Sequence, residues 1–259
     1  MIQRWLREAG EFLRDTYDVA VFNRPNKFRR YKGVYSSFAA AQAAMPAGQI
    51  HGFDHGSVAD FFADTHFVFN PSDYSVLFWL SRLLDGTRTI CDFGGGVGQC
   101  YYLYKHYLPA LENVEWTVCE VEAMVERGKE LARVSGLPSL RFTTRFEDTS
   151  GCDILFTAGA LHYLDQDLPD LLAKHSELPK HILINRVPLY EGEKFYTVQK
   201  GEHSYVAHKV MNLKEFIEGI ERLGYRKVDQ WYLQRSIRIP LHRERTVQFY
   251  WGFYFQREE

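Results

Sequence analysis

Asp92-Phe93-Gly94-Gly95-Gly96-Val97-Gly98 follows an apolar run, and Glu120 stands 22 positions beyond Gly98. Glycines at such a turn admit positive φ and let a ligand come close to the backbone and to the N-terminus of the next helix. Glu120 ends a second apolar run, Trp116-Thr117-Val118-Cys119-Glu120. The two oxygens of a carboxylate there match the two hydroxyl donors of a ribose diol. A dinucleotide turn needs G-x-G-x-x-G, but Gly94-x-Gly96 is followed by Gln99 and Gly96-x-Gly98 by Tyr101, so that pattern fails in both registers. His162, after Thr157-Ala158-Gly159-Ala160-Leu161, is a candidate general base, with a hydrogen-bonded structural role as the alternative. Asn185 and Arg186 close another apolar run, where Arg186 suits either a substrate carboxylate or phosphate or a plain ion pair.

Those residues need strand tips to hold them, and the pattern supplies strands. Apolar runs over 87–93, 114–121, 140–146, 153–158 and 181–187 alternate with helical spacing over 98–108, 122–135 and 165–175. Continuous apolar strands alternating with helices predict a doubly wound, Rossmann-like α/β sheet covered on both faces. Ahead of it, Asn70 and Pro71 read as the start of a helix that Gly86 ends. Behind it, a capping-box-like start at Asn212 and Glu215 opens a helix ending at Gly224. A strand over 225–233 is followed by a period-2 strand over 247–255 with no helix between them, so the last strand is expected to run antiparallel.

The D-x-G-x-G-x-G motif, joined to Glu120, resembles the first motif of class I S-adenosylmethionine-dependent methyltransferases, and the resemblance covers about residues 87 to 256. It implies a seven-stranded sheet with an antiparallel last strand and S-adenosyl-L-methionine as cofactor. Glu120 would take the ribose hydroxyls, and Asp92 would act, directly or through water, on the ammonium of the methionine part. Gly94, Gly96 and Gly98 would give backbone access, and Phe146 and Glu147 stand where the family flanks the adenine, although Phe146 reads equally well as core. Ala158 would also bind the cofactor and lies in residues 157–163, which resemble the segment that in the family lines the path from cofactor to substrate. With His162, Asn185 and Arg186 as catalytic candidates, the chemistry is methyl transfer to a small-molecule acceptor.

A narrower similarity links Tyr31-Lys32-Gly33-Val34-Tyr35-Ser36-Ser37-Phe38, the triple glycine, Asn185-Arg186-Val187-Pro188-Leu189 and Thr197-Val198-Gln199 to bacterial methyltransferases associated with surface-polysaccharide biosynthesis. It implies a sugar or glycan-precursor acceptor. Two rivals stand beside this reading: a cofactor-binding scaffold without catalysis, and an NAD(P)-dependent oxidoreductase, which the missing third glycine opposes.

The domains follow. Residues 1–69 are expected to form a mostly helical, aromatic cap, and 70–259 the catalytic domain, with 187–211 as an inserted lid. Residues 1–86 and 187–211 together hold half of the 40 aromatic residues of this 259-residue chain. Within the cap, Ile2, Trp5, Leu6, Ala9, Phe12 and Leu13 recur at helical spacing, and residues 1–33 carry a local charge of +4. This reads as a solvated helix and linker or, alternatively, as a peripheral membrane contact. His51, Asp54 and His55 are of metal-ligand type, but Gly52 and Gly56 oppose a regular helical pair, so no metal is expected. A net charge of −2 argues against nucleic acid as partner. No apolar run is long enough to span a bilayer, the N-terminus lacks a signal-peptide pattern, and a cytoplasmic location is expected. The four cysteines show no C-x-x-C pair and are expected to be buried and free.

Overall fold

The computed structural model describes residues 2–24, 30–65 and 68–258. The chain opens with helix α1 (Ile2–Ala20), strand β1 (Arg30–Tyr35) and short helices α2 (Phe38–Ala43) and α3 (Gly56–Asp64). Helix α4 (Asp73–Leu83) leads into β2 (Thr89–Phe93), α5 (Gln99–Tyr104), β3 (Glu115–Cys119), α6 (Glu122–Val134) and β4 (Leu140–Thr143). Next come β5 (Ile154–Ala158), α7 (Leu168–Leu172), β6 (His181–Tyr190), and the hairpin β7 (Phe195–Lys200) and β8 (Tyr205–Asn212). Helix α8 (Leu213–Glu221) and the long hairpin β9 (Tyr225–Ile239) and β10 (His242–Arg257) complete the chain.

Strands β4-β3-β2-β5-β6 pair in parallel, β10 pairs antiparallel with β6, and β9 pairs antiparallel with β10. This is the expected seven-stranded sheet with an antiparallel last strand. Its central strands are buried on both faces, which is why they read as unbroken apolar runs. Ile90, Trp116, Phe156 and Leu183 pack against Val76 and Leu80 of α4 and Tyr101 and Tyr104 of α5. Cys91, Leu155, Ile182 and Ile184 face Leu171 and Leu172 of α7 and Phe216 and Ile220 of α8. The four cysteines are buried and unbridged. Strand order reverses between β2 and β5, which leaves a crevice at their C-terminal tips.

The stretch expected to be a lid loop, 187–211, is strand and, together with β1, extends the sheet to ten strands. Strand β6 continues to Tyr190, its tip pairs with β8 at Leu189 and Met211, and β8, β7 and β1 follow antiparallel. Every residue of β7 is buried, and so is β8 up to Met211. With both faces covered, period-2 alternation disappears, and interior polar residues such as His208 and Lys209 make the stretch look like loop. Lys209 is accommodated because its ammonium donates to the carbonyls of Asp165 and Gln166 and to Asp167 Oδ1 at 2.6 Å. The N-terminal segment is mostly helical, as expected, with α1, α2 and α3, and adds one strand, β1, which pairs with β7. The helix expected from Pro71 starts instead at Asp73, whose carboxylate accepts the Asn70 backbone N–H at 2.7 Å.

Helix α1 is turned opposite to the usual amphipathic arrangement. Trp5, Leu6, Phe12, Leu13 and Tyr17 are exposed, while Asp15 is buried against Arg238 at 2.7 Å and Asp18 pairs with Arg238 and Arg30. The arginines of the body draw in the acidic side, which leaves the apolar side outward. Pro25, Lys27 and Arg29 of the basic stretch lie outside the described residues. Arg238→Ala is expected to release α1, read as faster limited proteolysis within residues 2–20 with little change in the thermal midpoint of the sheet. An unchanged cleavage rate would show that the ion pairs do not hold the helix.

Candidate active site

Strand β2 delivers Asp92 to the crevice and the glycines turn the chain over it. The Asp92 carboxyl is fully buried: Oδ2 accepts the Trp116 indole N–H at 3.1 Å, and Oδ1 has no partner. Burial pushes its pKa up to about 7, against the Trp116 N–H; the charge of Glu120 raises it further and that of Arg186 lowers it. Gly94 and Gly95 have no room for a side chain. A Cβ on Gly95 would stand 2.4 Å from the Asp92 carboxyl, and one on Gly94, at φ +72°, would stand 2.1 Å from the Ala160 Cβ. Thus Asp92 lies beneath Gly95, and the tip of β5 lies against Gly94. Gly98 serves differently, since a Cβ there would press on Leu140 and Phe142, which makes it a packing residue between α5 and β4.

Glu120 follows β3 and faces the same turn. Its Oε2 accepts the Val121 N–H at 2.7 Å, and the carboxyl lies against the Gly96 N–H. Burial raises its pKa, partly offset by those two backbone donors. Helix α3 roofs the turn: Val58, Ala59, Phe53 and Phe62 pack on Val97 and Met124, and the Gln99 amide donates to the Phe62 carbonyl at 3.3 Å. Asp54 secures the roof by accepting the Ala123 N–H at the start of α6, at 2.9 Å. The roof therefore comes from the N-terminal segment, and Asp54 acts as a helix cap. His51 and His55 bond to the carbonyls of Pro46 and His51, and the described residues bring no three metal-ligating side chains together.

Asn185 and Arg186 reach the crevice already engaged. The Asn185 amide donates to Asp73 Oδ1 at 2.9 Å and accepts the Trp231 N–H at 3.1 Å. Arg186, at φ +59°, donates to the same Asp73 oxygen at 2.7 Å, as does the Tyr104 hydroxyl at 2.9 Å. Sequence reading passed over Asp73, although its position three residues after Asn70 is a helix-start signal. Ala158 is opposite Asn185 in the register, at the tip of β5. Phe146 departs from the adenine-flanking expectation: its ring is buried in the core, stacked on His175 at 4.2 Å and tilted against Phe93, while Glu147 is exposed. His162 is buried in the 3₁₀ turn Leu161–Tyr163, its Nδ1 has no partner, and burial first, then the neighbouring His208 and Arg235, holds its pKa well below the usual imidazole range. Gly95, Phe62 and Phe53 were not singled out; the first is visible in sequence only as the middle of a glycine triplet.

No family model matches the sequence, and no curated protein is similar to it. Solved structures share its fold. The CcbJ methyltransferase of Streptomyces caelestis superposes with a TM-score of 0.52 at 14% identity, over 80% of this chain and 98% of its own. A provisionally assigned sarcosine dimethylglycine methyltransferase of Galdieria sulphuraria gives 0.51 at 12% identity, over 77% and 98%. A provisionally assigned S-adenosylmethionine-dependent methyltransferase of Listeria monocytogenes gives 0.50 at 13% identity, over 73% and 97%. At these identities the likeness is one of fold.

Proposed function

We propose that the chain is an S-adenosyl-L-methionine-dependent methyltransferase acting on a small molecule. The observation that carries this reading is the buried Asp92 carboxyl with an idle oxygen, under a turn whose Gly94 and Gly95 cannot hold a Cβ, with Glu120 at the next strand tip. An idle buried carboxyl oxygen is costly unless a ligand completes it, and an ammonium group does so. Glu120 takes the ribose hydroxyls, the backbone of Gly94 to Gly96 lies along the ligand, and Phe53 and Phe62 exclude water. The cofactor supplies a methyl group already activated on a sulfonium, so the protein's work is alignment, desolvation and, for a hydroxyl acceptor, proton removal. His162 is the base on this reading. Asn185 and Arg186 are positioning residues, because Asp73 already occupies them. A sugar or glycan-precursor acceptor rests on the short sequence similarities alone. Among the described residues no helix is long and apolar enough to cross a membrane.

Calorimetric titration with S-adenosylhomocysteine and with NADH separates this reading from an oxidoreductase. Binding of the former is expected, weakened about tenfold to a hundredfold by Glu120→Ala, the loss of about 1.5–3 kcal/mol for a charge-assisted contact. Unchanged affinity in that variant removes Glu120 from the site.

A further inference from the structure

Beyond Ala160 lies a cluster of buried polar rings that the roles above leave largely unassigned. His208 of β8 is fully buried, and neither of its ring nitrogens has a partner on another residue. His162 faces it with ring centroids 4.6 Å apart, and Tyr31 of β1 meets it edge-on at 5.2 Å. The Tyr31 hydroxyl lies 3.3 Å from that of Tyr250 on β10, and the Arg235 guanidinium of β9 sits 5.0 Å from the centre of the Tyr250 ring. Among the described residues no carboxylate pairs with Arg235, which is exposed. Tyr163, adjoining His162, packs on Phe53 at 4.9 Å, so the cluster abuts the roof of the glycine turn.

A core that needed only volume would place Leu or Phe at 208, because an imidazole with both nitrogens idle carries an uncompensated desolvation cost. Four elements far apart in sequence converge on this point, each bringing a hydrogen-bonding ring. Burial and the positive charge of Arg235 keep both histidines neutral, so each offers one N–H and one acceptor nitrogen. A hydroxyl is the complement, being donor and acceptor at once. An ammonium would add a second positive charge beside Arg235, whereas a carboxylate or phosphate would satisfy it.

We propose that Tyr31, His162, His208 and Tyr250 form the acceptor subsite, which receives a hydroxyl of a small ring compound whose anionic group is held by Arg235, and that the methyl group goes to oxygen. This rests on the methyltransferase reading. The acceptor oxygen gives an electron pair to the methyl carbon as the carbon–sulfur bond breaks with its electrons left on sulfur, and the hydroxyl proton passes to an imidazole nitrogen and then to water. A negative acceptor offsets the cost of charging that imidazole.

The test uses the full chain saturated with S-adenosylhomocysteine, titrated with 4-hydroxybenzoate, glucuronate and, as the control without a hydroxyl, benzoate. A hydroxylated probe is expected to bind at least tenfold more tightly than benzoate, and the better of the two tells a phenolic from a sugar-type acceptor. His208→Leu is expected to weaken that probe at least tenfold, leave S-adenosylhomocysteine affinity unchanged and raise the thermal midpoint by about 2–4 °C, since it removes an unsatisfied buried group. Arg235→Gln, at an exposed position, carries the same affinity test without risk to the core. The assignment is overturned if neither hydroxylated probe binds at 10 mM, if both variants leave probe affinity unchanged, or if His208→Leu lowers the midpoint while sparing the probe. Failure of S-adenosylhomocysteine itself to bind removes the methyltransferase reading, and this assignment with it.

Discussion

Asp73→Ala is expected to cost the fold about 3–5 kcal/mol, the loss found when one partner of a buried ion pair is deleted. One carboxylate, 1% exposed, completes four donors: the Asn70 N–H at 2.7 Å, the Tyr104 hydroxyl and the Asn185 amide at 2.9 Å, and Arg186 at 2.7 Å. Its removal strands a guanidinium whose side chain is only 18% exposed, together with an amide and a phenol in the core. For a chain of this size the thermal midpoint should fall by about 2–4 °C per kcal/mol, hence by about 6–20 °C. Asp73→Asn keeps one acceptor oxygen but no charge, and an intermediate loss is expected. A midpoint within 2 °C of the parent in Asp73→Ala would mean that water replaces the carboxylate and that the network is not structural. The effect should also reach the crevice, because Arg186 lies near Gly159 at the β5 tip and its charge lowers the Asp92 pKa.

This network shows which part of the site sequence can reveal. Asp92, the glycines and Glu120 lie on contiguous strand–turn segments, and the parallel sheet that aligns them is written in unbroken apolar runs whose burial on both faces the structure displays. The role of Asn185 and Arg186 was out of reach for a physical reason: it depends on Asp73, more than a hundred positions earlier, and only the packing of α4 against β6 brings them together. Phe146 was ambiguous because a ring at a strand end suits adenine and core equally, and Phe93 of β2 and His175, just beyond α7, decide for the core.

The β1-β7-β8 extension of the sheet was hidden for another reason. Periodicity reports a difference between two faces, and β7 and β8 have none. Lysine normally marks solvent, yet Lys209 is interior because two carbonyls and Asp167 receive its ammonium. In β1, Lys32 and Gly33 interrupt the pattern, and its pairing with β7 across the sheet restores strand geometry. The aromatic surplus of the cap and of 187–211 was legible as a count. Its use was not: Phe53 and Phe62 close the glycine turn, while Tyr31 belongs to the ring cluster around His208.

Asp92 gives the other large effect, a pH dependence with a defined sign. An unfolded aspartate releases its proton near pH 3.8, whereas burial in the folded chain delays release until about pH 7. Between these values the folded state holds more protons than the unfolded one, so stability contributed by this group is fully present below pH 3.8 and is lost as pH rises through 7. Three pH units correspond to about 4 kcal/mol, an upper figure for a group this buried. Cofactor affinity should run the opposite way. If the idle Oδ1 receives the ligand's ammonium, only the ionised form binds well, and S-adenosylhomocysteine affinity should rise about tenfold per unit up to pH 7 and then level off. The expected gain between pH 5 and pH 8 is about a hundredfold, or about 2.7 kcal/mol. Histidine titration does not imitate this, because His162 and His208 are held neutral across the range. Glu120, also raised, acts in the same direction, and Asp92→Asn separates the two: it should bind weakly at pH 8, with a much shallower slope below 7. A parent profile that is flat from pH 5 to pH 8 would remove Asp92 from contact with the ligand and leave it as a buried partner of Trp116 alone.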